Sequence, residues 1–322
     1  MKPHAFASLF VLTLTAAACG QQDRSATVAT AVASAAVDFN REHTAWVRDR
    51  AADLSKPDGW TSLIGLHWIE PGKRSVGGGA ENAIRLSIAP DRLGQVEQRA
   101  DGLYFRPADG VPVTADGKPL QGEVRLDPDG TGGGTRLGYD HGKGQITAIK
   151  RGQRLALRVR HADAPARRDF HGVDFFPADE RWRVQARFHP HPAGKTLPIV
   201  NVLGETSDTP NPGYVVFNKD GREWRLEALG DAAKGLNLMF QDQTTGRLTY
   251  GVGRYLHTDA VAADGTVVLD FNRAYNPPCA YTEFATCPLP PPENRLVQQD
   301  SQGQRTRLAV LAGEKKYVGA SH

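Results

Sequence analysis

The spacing of apolar and polar residues predicts one helix followed by a long succession of short strands. Over residues 38–54 the apolar positions recur at helical spacing, with Asp38 or Asn40 as the N-cap. Beyond this helix, apolar residues alternate with polar ones in short runs bounded by turn residues, which is the pattern of half-buried strands. The chain also contains seven Asp-Gly dipeptides. This dipeptide favours hairpins because both central residues of a type I′ turn adopt positive φ.

The predicted strands fall into two β units. The first unit has strands at residues 61–69, 83–88, 103–106, 111–114, 145–150 and 154–160. The second unit has strands at residues 181–188, 197–203, 214–217, 223–229, 236–241, 248–255, 266–271 and 308–311. We therefore predict a mostly β fold, with antiparallel sandwich or barrel-like sheets in two packed units and one N-terminal helix.

The least patterned stretch after the helix is residues 162–168, which contains Pro165. It divides the chain into residues 38–162, with the helix and the first β unit, and residues 168–318, with the second. Residues 71–118 resemble the sandwich of forkhead-associated domains. The arginine and the Ser-x-x-His motif that read phosphothreonine in those domains are absent, so this resemblance extends to topology alone.

Composition and charge exclude several functional classes. The net charge of +3 over 322 residues is spread along the chain, whereas a nucleic-acid binder has a clustered basic face. The sequence contains no G-x-S-x-G, H-E-x-x-H or dinucleotide-binding motif. We therefore predict no nucleic-acid partner, no cofactor and no metal site. The oligomeric state is unknown from the sequence.

Residues 1–19 have the organisation of a lipoprotein signal peptide. A basic start at Lys2 precedes a short apolar segment, and small residues then lead to Cys19. This resembles a bacterial lipobox, in which the cysteine becomes the lipidated N-terminus, although Ala16 stands where leucine is usual. Plain secretion is the alternative. Residues 20–37 are predicted to be a flexible tether. Gly20 in place of aspartate favours a lipid anchor in the outer membrane, facing the periplasm.

Once Cys19 is assigned to the anchor, Cys279 and Cys287 remain. In an oxidising compartment, a disulfide between them is the expected state. The alternative is a metal site with two thiolates. It is disfavoured because the spacing is not that of a zinc knuckle and no histidine lies between the cysteines.

Residues 270–295, called the clip below, combine both of these cysteines with six of the 21 prolines. Proline fixes φ and removes a backbone donor, so the clip is expected to be stiff and extended. Its polar side chains could then be held ready to bind a ligand. The alternative is that they satisfy backbone carbonyls of a proline-rich loop. The clip residues concerned are Asp270, Asn272, Asn276, Glu293 and Asn294.

Two arginines outside the clip are further candidates. Arg254 and Tyr250 are predicted on one strand, on the face opposite Gly251 and Gly253, which would allow close approach by a ligand or another backbone. The alternative is a buried ion pair between Arg254 and a carboxylate such as Asp270. Arg158 is predicted on the polar face of its strand.

Several segments together resemble one bacterial family. They are Gly59-Trp60-x-Ser62-Leu63-x-Gly65-Leu66-His67-Trp68, Asp242-x-Thr244-x-Gly246, Thr249-Tyr250-Gly251, Gly253-Arg254-Tyr255, the clip signature DFNRAYNPPCAY with CPLPPPENRL, and Ala312-Gly313-Glu314-Lys315. The family is the domain of unknown function 1684, and the resemblance covers residues 46–317. It implies a β-rich fold and a common extracytoplasmic lipoprotein context, without an established activity.

Three functional hypotheses follow from the sequence. The first is an envelope lipoprotein that binds a small polar or anionic ligand through Arg158, Tyr250, Arg254, Asp270, Asn272, Asn276, Glu293 and Asn294. The second is a hydrolase in which Glu293 or Asp270 acts with a histidine, either His67 or His257. The third is a structural or interaction protein of the cell envelope without a pocket.

Overall fold

The computed structural model describes residues 20–130 and 133–319, and for residues 20–36 it describes the backbone only. The chain forms two compact units, Met1–Glu42 and His43–His322. The described part of the first unit is helical and belongs to α1 (Gly20–Leu54). Among the described helices, none combines the length and apolarity needed to cross a membrane. The predicted signal peptide and Cys19 lie outside the described residues.

Helix α1 is longer than the apolar pattern predicts. The pattern places the helix start near residue 38 and a tether before it, whereas α1 begins at Gly20. The added segment is rich in alanine, which has the highest helix propensity of any residue. The helical backbone there follows propensity rather than apolar periodicity. The flexibility of this segment stays a prediction.

The first half of the described chain contains strands β1 to β11, followed by a short helix, α2 (Pro165–Arg168). The strands are β1 (Leu63–Trp68), β2 (Gly72–Gly77), β3 (Ile84–Arg85), β4 (Gly94–Arg99), β5 (Gly102–Pro107), β6 (Thr114–Ala115), β7 (Lys118–Pro119), β8 (Val124–Arg125), β9 (Arg136–Tyr139), β10 (Gly144–Arg151) and β11 (Arg154–His161).

These strands form two sheets around one apolar core. One sheet has the order β1-β11-β10-β9-β6-β7, and the other has the order β3-β2-β4-β5-β8. Val96 and Phe105 from one sheet and Leu157 and Val159 from the other belong to the same buried cluster. The pairing is antiparallel except between β2 and β3.

The second half contains strands β12 to β21. They are β12 (Arg183–Pro190), β13 (Thr196–Val200), β14 (Thr206–Pro210), β15 (Gly213–Lys219), β16 (Arg222–Asp231), β17 (Gly235–Phe240), β18 (Arg254–His257), β19 (Thr266–Asp270), β20 (Val297–Gln299) and β21 (Arg305–Arg307). Six of them form the sheet β18-β17-β16-β15-β12-β19, and the other four form the hairpins β13-β14 and β20-β21.

The core of this second half is centred on Phe271, the first residue after β19. The centroid of its ring lies 5.4 to 6.0 Å from the ring centroids of Phe217, Phe240 and Trp182. The predicted inward orientation of Phe271 is confirmed, because the residue is fully buried. The mostly β fold with antiparallel sheets is confirmed as well. Both β cores lie within the single compact unit His43–His322.

One Asp-Gly dipeptide shows how local chemistry fixes a hairpin. Asp220 and Gly221 join β15 to β16 and adopt φ values of 52° and 69°. These are the positive values that a two-residue turn of this type requires, and aspartate and glycine reach them at low cost.

Two predicted strands are wrong, and a third, residues 111–114, overlaps β6 only at Thr114. Residues 308–311 are not in a strand. Within this segment, side chains bind the backbone of Val310: its amide donates to Asp242 and its carbonyl accepts from Arg254. Residues 248–253 form turns, and β18 begins only at Arg254. Gly253 adopts a φ of 117°, and a Cβ there would lie 2.5 Å from the carbonyl oxygen of Phe240. The close approach predicted at this glycine is therefore made by another backbone.

Candidate functional site

Arg254 is buried in the core and is bound by the fold itself. It is 1 % exposed. Its guanidinium donates to the carboxylate of Asp242, with Nη2 3.2 Å from Oδ2, and to the backbone carbonyls of Val310 and Ala312. The alternative that Arg254 pairs with a carboxylate is therefore confirmed, with Asp242 in place of Asp270. These contacts occupy the donors that a ligand would need.

Asn272 and Asp270 attach the start of the clip to the segment before β12. The amide of Asn272 accepts from the backbone nitrogen of Asp179 and donates to its carbonyl, both at 3.0 Å. Asp270 Oδ2 lies 3.2 Å from Arg183 Nε and 3.5 Å from Arg273 Nε. Both side chains thus have structural partners.

Asn294 and Glu293 differ in environment although they are adjacent. Asn294 is buried and bridges two strands: its amide oxygen accepts from the nitrogen of Glu227 at 2.6 Å, and its nitrogen donates to the carbonyls of Glu227 and Met239. Glu293 is exposed. The hydrolase hypothesis pairs Glu293 or Asp270 with His67 or His257, and none of these pairs is hydrogen-bonded among the described residues. The histidine near Asp270 is instead His43, whose pKa is lowered by burial and raised in part by the Asp270 charge.

The predicted disulfide between Cys279 and Cys287 is present, with Cα atoms 6.1 Å apart. The clip packs against the molecule, since Tyr281 and Cys287 are buried. Tyr250, a predicted ligand-binding residue, donates its hydroxyl to the carbonyl of Cys279 at 2.9 Å. Tyr250 therefore holds the clip in position.

A buried carboxylate that the sequence analysis did not select, Glu314, lies behind the clip. It is fully buried and accepts from Arg50 Nε at 2.8 Å, from the Tyr281 hydroxyl at 2.7 Å and from the backbone nitrogen of Asn276 at 2.6 Å. Burial would lower the pKa of Arg50, but the Glu314 carboxylate raises it above its usual value. Burial, reinforced by Glu314, raises the pKa of Tyr281. The cluster joins helix α1 to the clip and to the C-terminal segment.

Asn276 belongs to the same cluster. Its amide nitrogen donates to the carbonyl of Lys315 at 2.8 Å, whereas its Oδ1 is buried without a hydrogen-bond partner among the described residues. Because Asn276 is fully buried, this oxygen is not accessible from the surface.

A cavity of about 500 Å³ is lined by Tyr275 and Pro288 of the clip and by residues of β16, β17 and β18. Across the β17–β18 pair, Asn237 lies opposite His257 and Met239 lies opposite Tyr255, so these four side chains share one face. The hairpin β13-β14 packs over that face through contacts with Met239. The apolar side chains of the cavity are those of Pro210, Leu229, Met239 and Pro288. Leu238 and Leu256 also border the cavity, but their side chains belong to the core on the opposite face of the sheet.

A tyrosine–histidine pair stands at the rim of the cavity. The Tyr275 hydroxyl is hydrogen-bonded to His257 Nε2, and the two rings stack with centroids 5.5 Å apart. The guanidinium of Arg50 lies 4.6 Å from the centroid of the Tyr275 ring. Burial raises the pKa of Tyr275 to about 12, and burial together with the Arg50 charge lowers the pKa of His257. Both side chains are therefore neutral near pH 7.

The polar side chains that line the cavity differ in whether they already make hydrogen bonds within the protein. Tyr255 donates its hydroxyl to the carbonyl of Pro288 at 2.5 Å, and Tyr275 is bound to His257. Asn237 is half-buried, and its side-chain amide makes no hydrogen bond within the described part of the chain. An amide offers both a donor and an acceptor. Asn237 is thus the free polar contact for a molecule in this cavity.

The remaining predicted residues lie in the first half of the chain, outside this cavity. His67 is the penultimate residue of β1, next to Trp68, and burial lowers its pKa. Arg158 lies on β11 and is 8 % exposed. Of the residues predicted to form one site, only His257 therefore lines the cavity. Asn237, Tyr255 and Tyr275 were missed, although the alternation of Tyr255 and His257 around Leu256 was a sequence signal for a shared face.

One group of side chains in the described residues has metal-ligand chemistry: Asp140, His161 and Asp163, with ligand atoms within 4.8 Å of one another. His161 Nε2 is bonded to Asp140 at 3.1 Å, and Nδ1 accepts from the backbone nitrogen of Asp163. Asp163 is paired with Lys143. Because both imidazole nitrogens are engaged, the arrangement is better explained as a hydrogen-bonded turn than as a metal centre.

The comparisons with known proteins place the cavity inside a family domain. The family model described as "Protein of unknown function (DUF1684)" matches residues 168–315, a range that contains all the lining residues. A solution NMR structure, the uncharacterized protein from gene locus rrnAC0354 of Haloarcula marismortui, is 33 % identical over 44 % of this chain and 80 % of that chain, with a TM-score of 0.35. No curated protein matches the chain. This chain belongs to the DUF1684 family.

Proposed function

We propose that this protein is an envelope lipoprotein that binds a small organic molecule in the cavity beside β17 and β18. The observation that supports this most directly is the cavity itself. At about 500 Å³ it falls within the roughly 300–1,000 Å³ range of small-molecule sites, and it combines apolar walls with the free amide of Asn237. A concave site of this kind argues against the alternative of an interaction protein without a pocket.

The ligand that suits this cavity is neutral, with an apolar body and one polar end. His257 and Tyr275 are uncharged near pH 7, and Arg50 behind them is paired with Glu314. A charged group entering the cavity would lose its hydration without gaining a counter-ion. This proposal replaces the small polar or anionic ligand predicted from the sequence with a neutral, largely apolar one. It also favours binding over hydrolysis, because neither Glu293 nor Asp270 lines the cavity.

Filling the cavity tests the proposal. Met239→Trp places an indole among the apolar walls and is expected to abolish binding of small neutral aromatic probes: p-cresol, indole and benzamide. Saturation-transfer NMR would detect probe binding to the wild type. Val268→Trp, at an exposed position on β19 of the same sheet, is the matched control and should bind the probes like the wild type. Leu229→Trp serves as a second filled variant if Met239→Trp unfolds.

Two results would contradict the proposed site. One is the absence of binding of all three probes to the wild type. The other is equal probe signals from the wild type and from a folded variant with a filled cavity. Either result would show that the cavity is not a binding site for these neutral molecules.

The envelope part of the proposal rests on the signal sequence and Cys19. We expect the wild-type chain, expressed in a Gram-negative host, to incorporate radiolabelled palmitate and to fractionate with the outer membrane. Cys19→Ser should lose the label, because serine cannot form the thioether that carries the lipid. Palmitate label retained in Cys19→Ser would show that the anchor is elsewhere, and an unlabelled wild type would favour plain secretion.

A further inference from the structure

A second site lies on the first sheet, away from the proposed cavity. Arg158 and Arg160 are two positions apart on β11 and therefore project from the same face of the sheet. This face is opposite the one that carries Leu157 and Val159 into the apolar core. Strand β11 is an interior strand, paired with β1 on one side and with β10 on the other. Both arginines are thus held on a fixed backbone.

Neither guanidinium makes a hydrogen bond within the described residues, although both carry five donors. The Nε atom of each is buried without a partner. Among the described residues, the carboxylate within ion-pair range of Arg158 is that of Asp129. Its Oδ2 lies 3.7 Å from Nη1 of Arg158, which is beyond hydrogen-bonding distance. The carboxylate of Asp129 is instead hydrogen-bonded to Arg151, which donates to both of its oxygens at 3.1 Å.

This arrangement is costly for a protein without a ligand. The Arg158 side chain is 9 % exposed, and the preceding residue on the same face, Ala156, is fully buried. Burial, and then the charges of Arg160 and Arg151, lower the pKa of Arg158 to about 10, so the guanidinium stays protonated near pH 7. Buried donors in native proteins almost always have acceptors, and buried charges are almost always paired. An anion would supply both.

Trp60 forms a wall of the same site. The centroid of its ring is 5.7 Å from the Cζ of Arg158 and 5.8 Å from the Cζ of Arg160. The ring thus stands close to both cations and contributes a cation–π attraction. It offers no acceptor oxygen, so the N–H groups of both arginines remain available.

We propose that Arg158 and Arg160, with Trp60 beside them, bind a phosphate group of inorganic phosphate or of a soluble phosphate monoester. Guanidinium groups donate paired hydrogen bonds to phosphate oxygens. A phosphate monoester carries a charge of about −1.5 to −2 near pH 7, which suits two arginines whose nearby carboxylates, Asp129 and Asp58, make no hydrogen bond with them. A carboxylate or a phosphodiester carries a single charge and would leave one of them uncompensated.

The test compares three proteins in phosphate-free buffer and with added inorganic phosphate or glycerol 3-phosphate, with chloride at matched ionic strength as the salt control. The proteins are the wild type, Arg158→Met and Arg154→Met. Arg154 is the matched control because it lies on the same strand and face but is exposed and stacked 3.9 Å from the Trp68 ring. Thermal unfolding and titration calorimetry give the two readouts.

The wild type and Arg154→Met are expected to show a higher melting temperature with either phosphate compound. Arg158→Met should lose this increase and bind phosphate about tenfold or more weakly, since a charged hydrogen-bond donor is removed. Without phosphate, Arg158→Met should melt at or above the wild-type temperature, because an apolar side chain replaces a buried charge that has no hydrogen-bonded partner. If Arg158 instead served the fold through Asp129, this variant would melt lower. Arg160→Met repeats the test if Arg158→Met does not fold.

Three outcomes would overturn the inference. The first is a phosphate effect no larger than that of chloride. The second is an equal phosphate effect in the wild type and Arg158→Met. The third is binding to phosphatidylglycerol vesicles that depends on Arg158 in the absence of binding to either soluble compound, which would assign the site to a singly charged lipid headgroup.

Discussion

Glu314→Ala is expected to destabilise the protein by about 3–5 kcal/mol, the usual cost of removing one partner of a buried ion pair. Three donors lose the Glu314 carboxylate as their acceptor: Nε of Arg50, the hydroxyl of Tyr281 and the backbone N–H of Asn276. Arg50 is 17 % exposed at its side chain and keeps its charge without a counter-ion. Urea unfolding followed by tryptophan fluorescence measures the change in the free energy of unfolding.

Two further variants make this test specific. Glu293→Ala removes an exposed glutamate from the clip and should leave the stability close to that of the wild type. The double variant Arg50→Met, Glu314→Leu should recover part of the loss, because it removes the unpaired charge together with its partner. If Glu314→Ala were as stable as Glu293→Ala, the buried cluster would not be what joins α1 to the clip.

Asp242→Ala is expected to have an effect of similar size, about 3–5 kcal/mol, for a related reason. Arg254 would remain in the core at 1 % exposure with its carboxylate partner removed. Asp242 also accepts from the backbone nitrogen of Val310 at 2.7 Å and from both the backbone nitrogen and the hydroxyl of Thr244. Those donors lose their acceptor in the same substitution.

Gln243→Ala is the control for this prediction. It changes the exposed neighbour of Asp242 and should leave the urea midpoint close to the wild-type value. Asp242→Asn separates charge from shape, since it keeps an acceptor oxygen while it removes the negative charge. We expect its stability to lie between those of the wild type and Asp242→Ala. A wild-type midpoint for Asp242→Ala would show that the Arg254 pair contributes little.

The sequence predicted the features that depend on local chemistry. Alternating positions located long strands such as β10, β11 and β12, whereas β2 and β4 were not predicted. The Asp220-Gly221 turn followed from φ preferences, and the Cys279–Cys287 disulfide followed from counting cysteines. The family resemblance, drawn from motifs such as that around Arg254, was confirmed over residues 168–315.

The roles of the polar side chains in the clip were not predictable in the same way. Asn294 acts on Glu227, 67 residues away, and Arg50 reaches Glu314 across 264 residues. Such partners are determined by tertiary packing. The alternation of side chains along a strand predicts which face a residue lies on, but not which distant residue it contacts. Glu314 did leave a signal, because it follows an apolar run and Gly313. That glycine has a φ of 77°, and a Cβ there would lie 2.4 Å from the carbonyl oxygen of Ala274.

The pairing of the clip with β18 also bears on self-association. Strand β18 ends the six-stranded sheet, and an unpaired sheet edge is a template for adding a strand from another molecule. Here the amide and carbonyl of Tyr255 are both bonded to Tyr275, each at 2.9 Å. A proline-rich segment placed along this edge offers few amides for further pairing. The clip thus protects the β18 edge of the sheet against intermolecular strand addition at Tyr255.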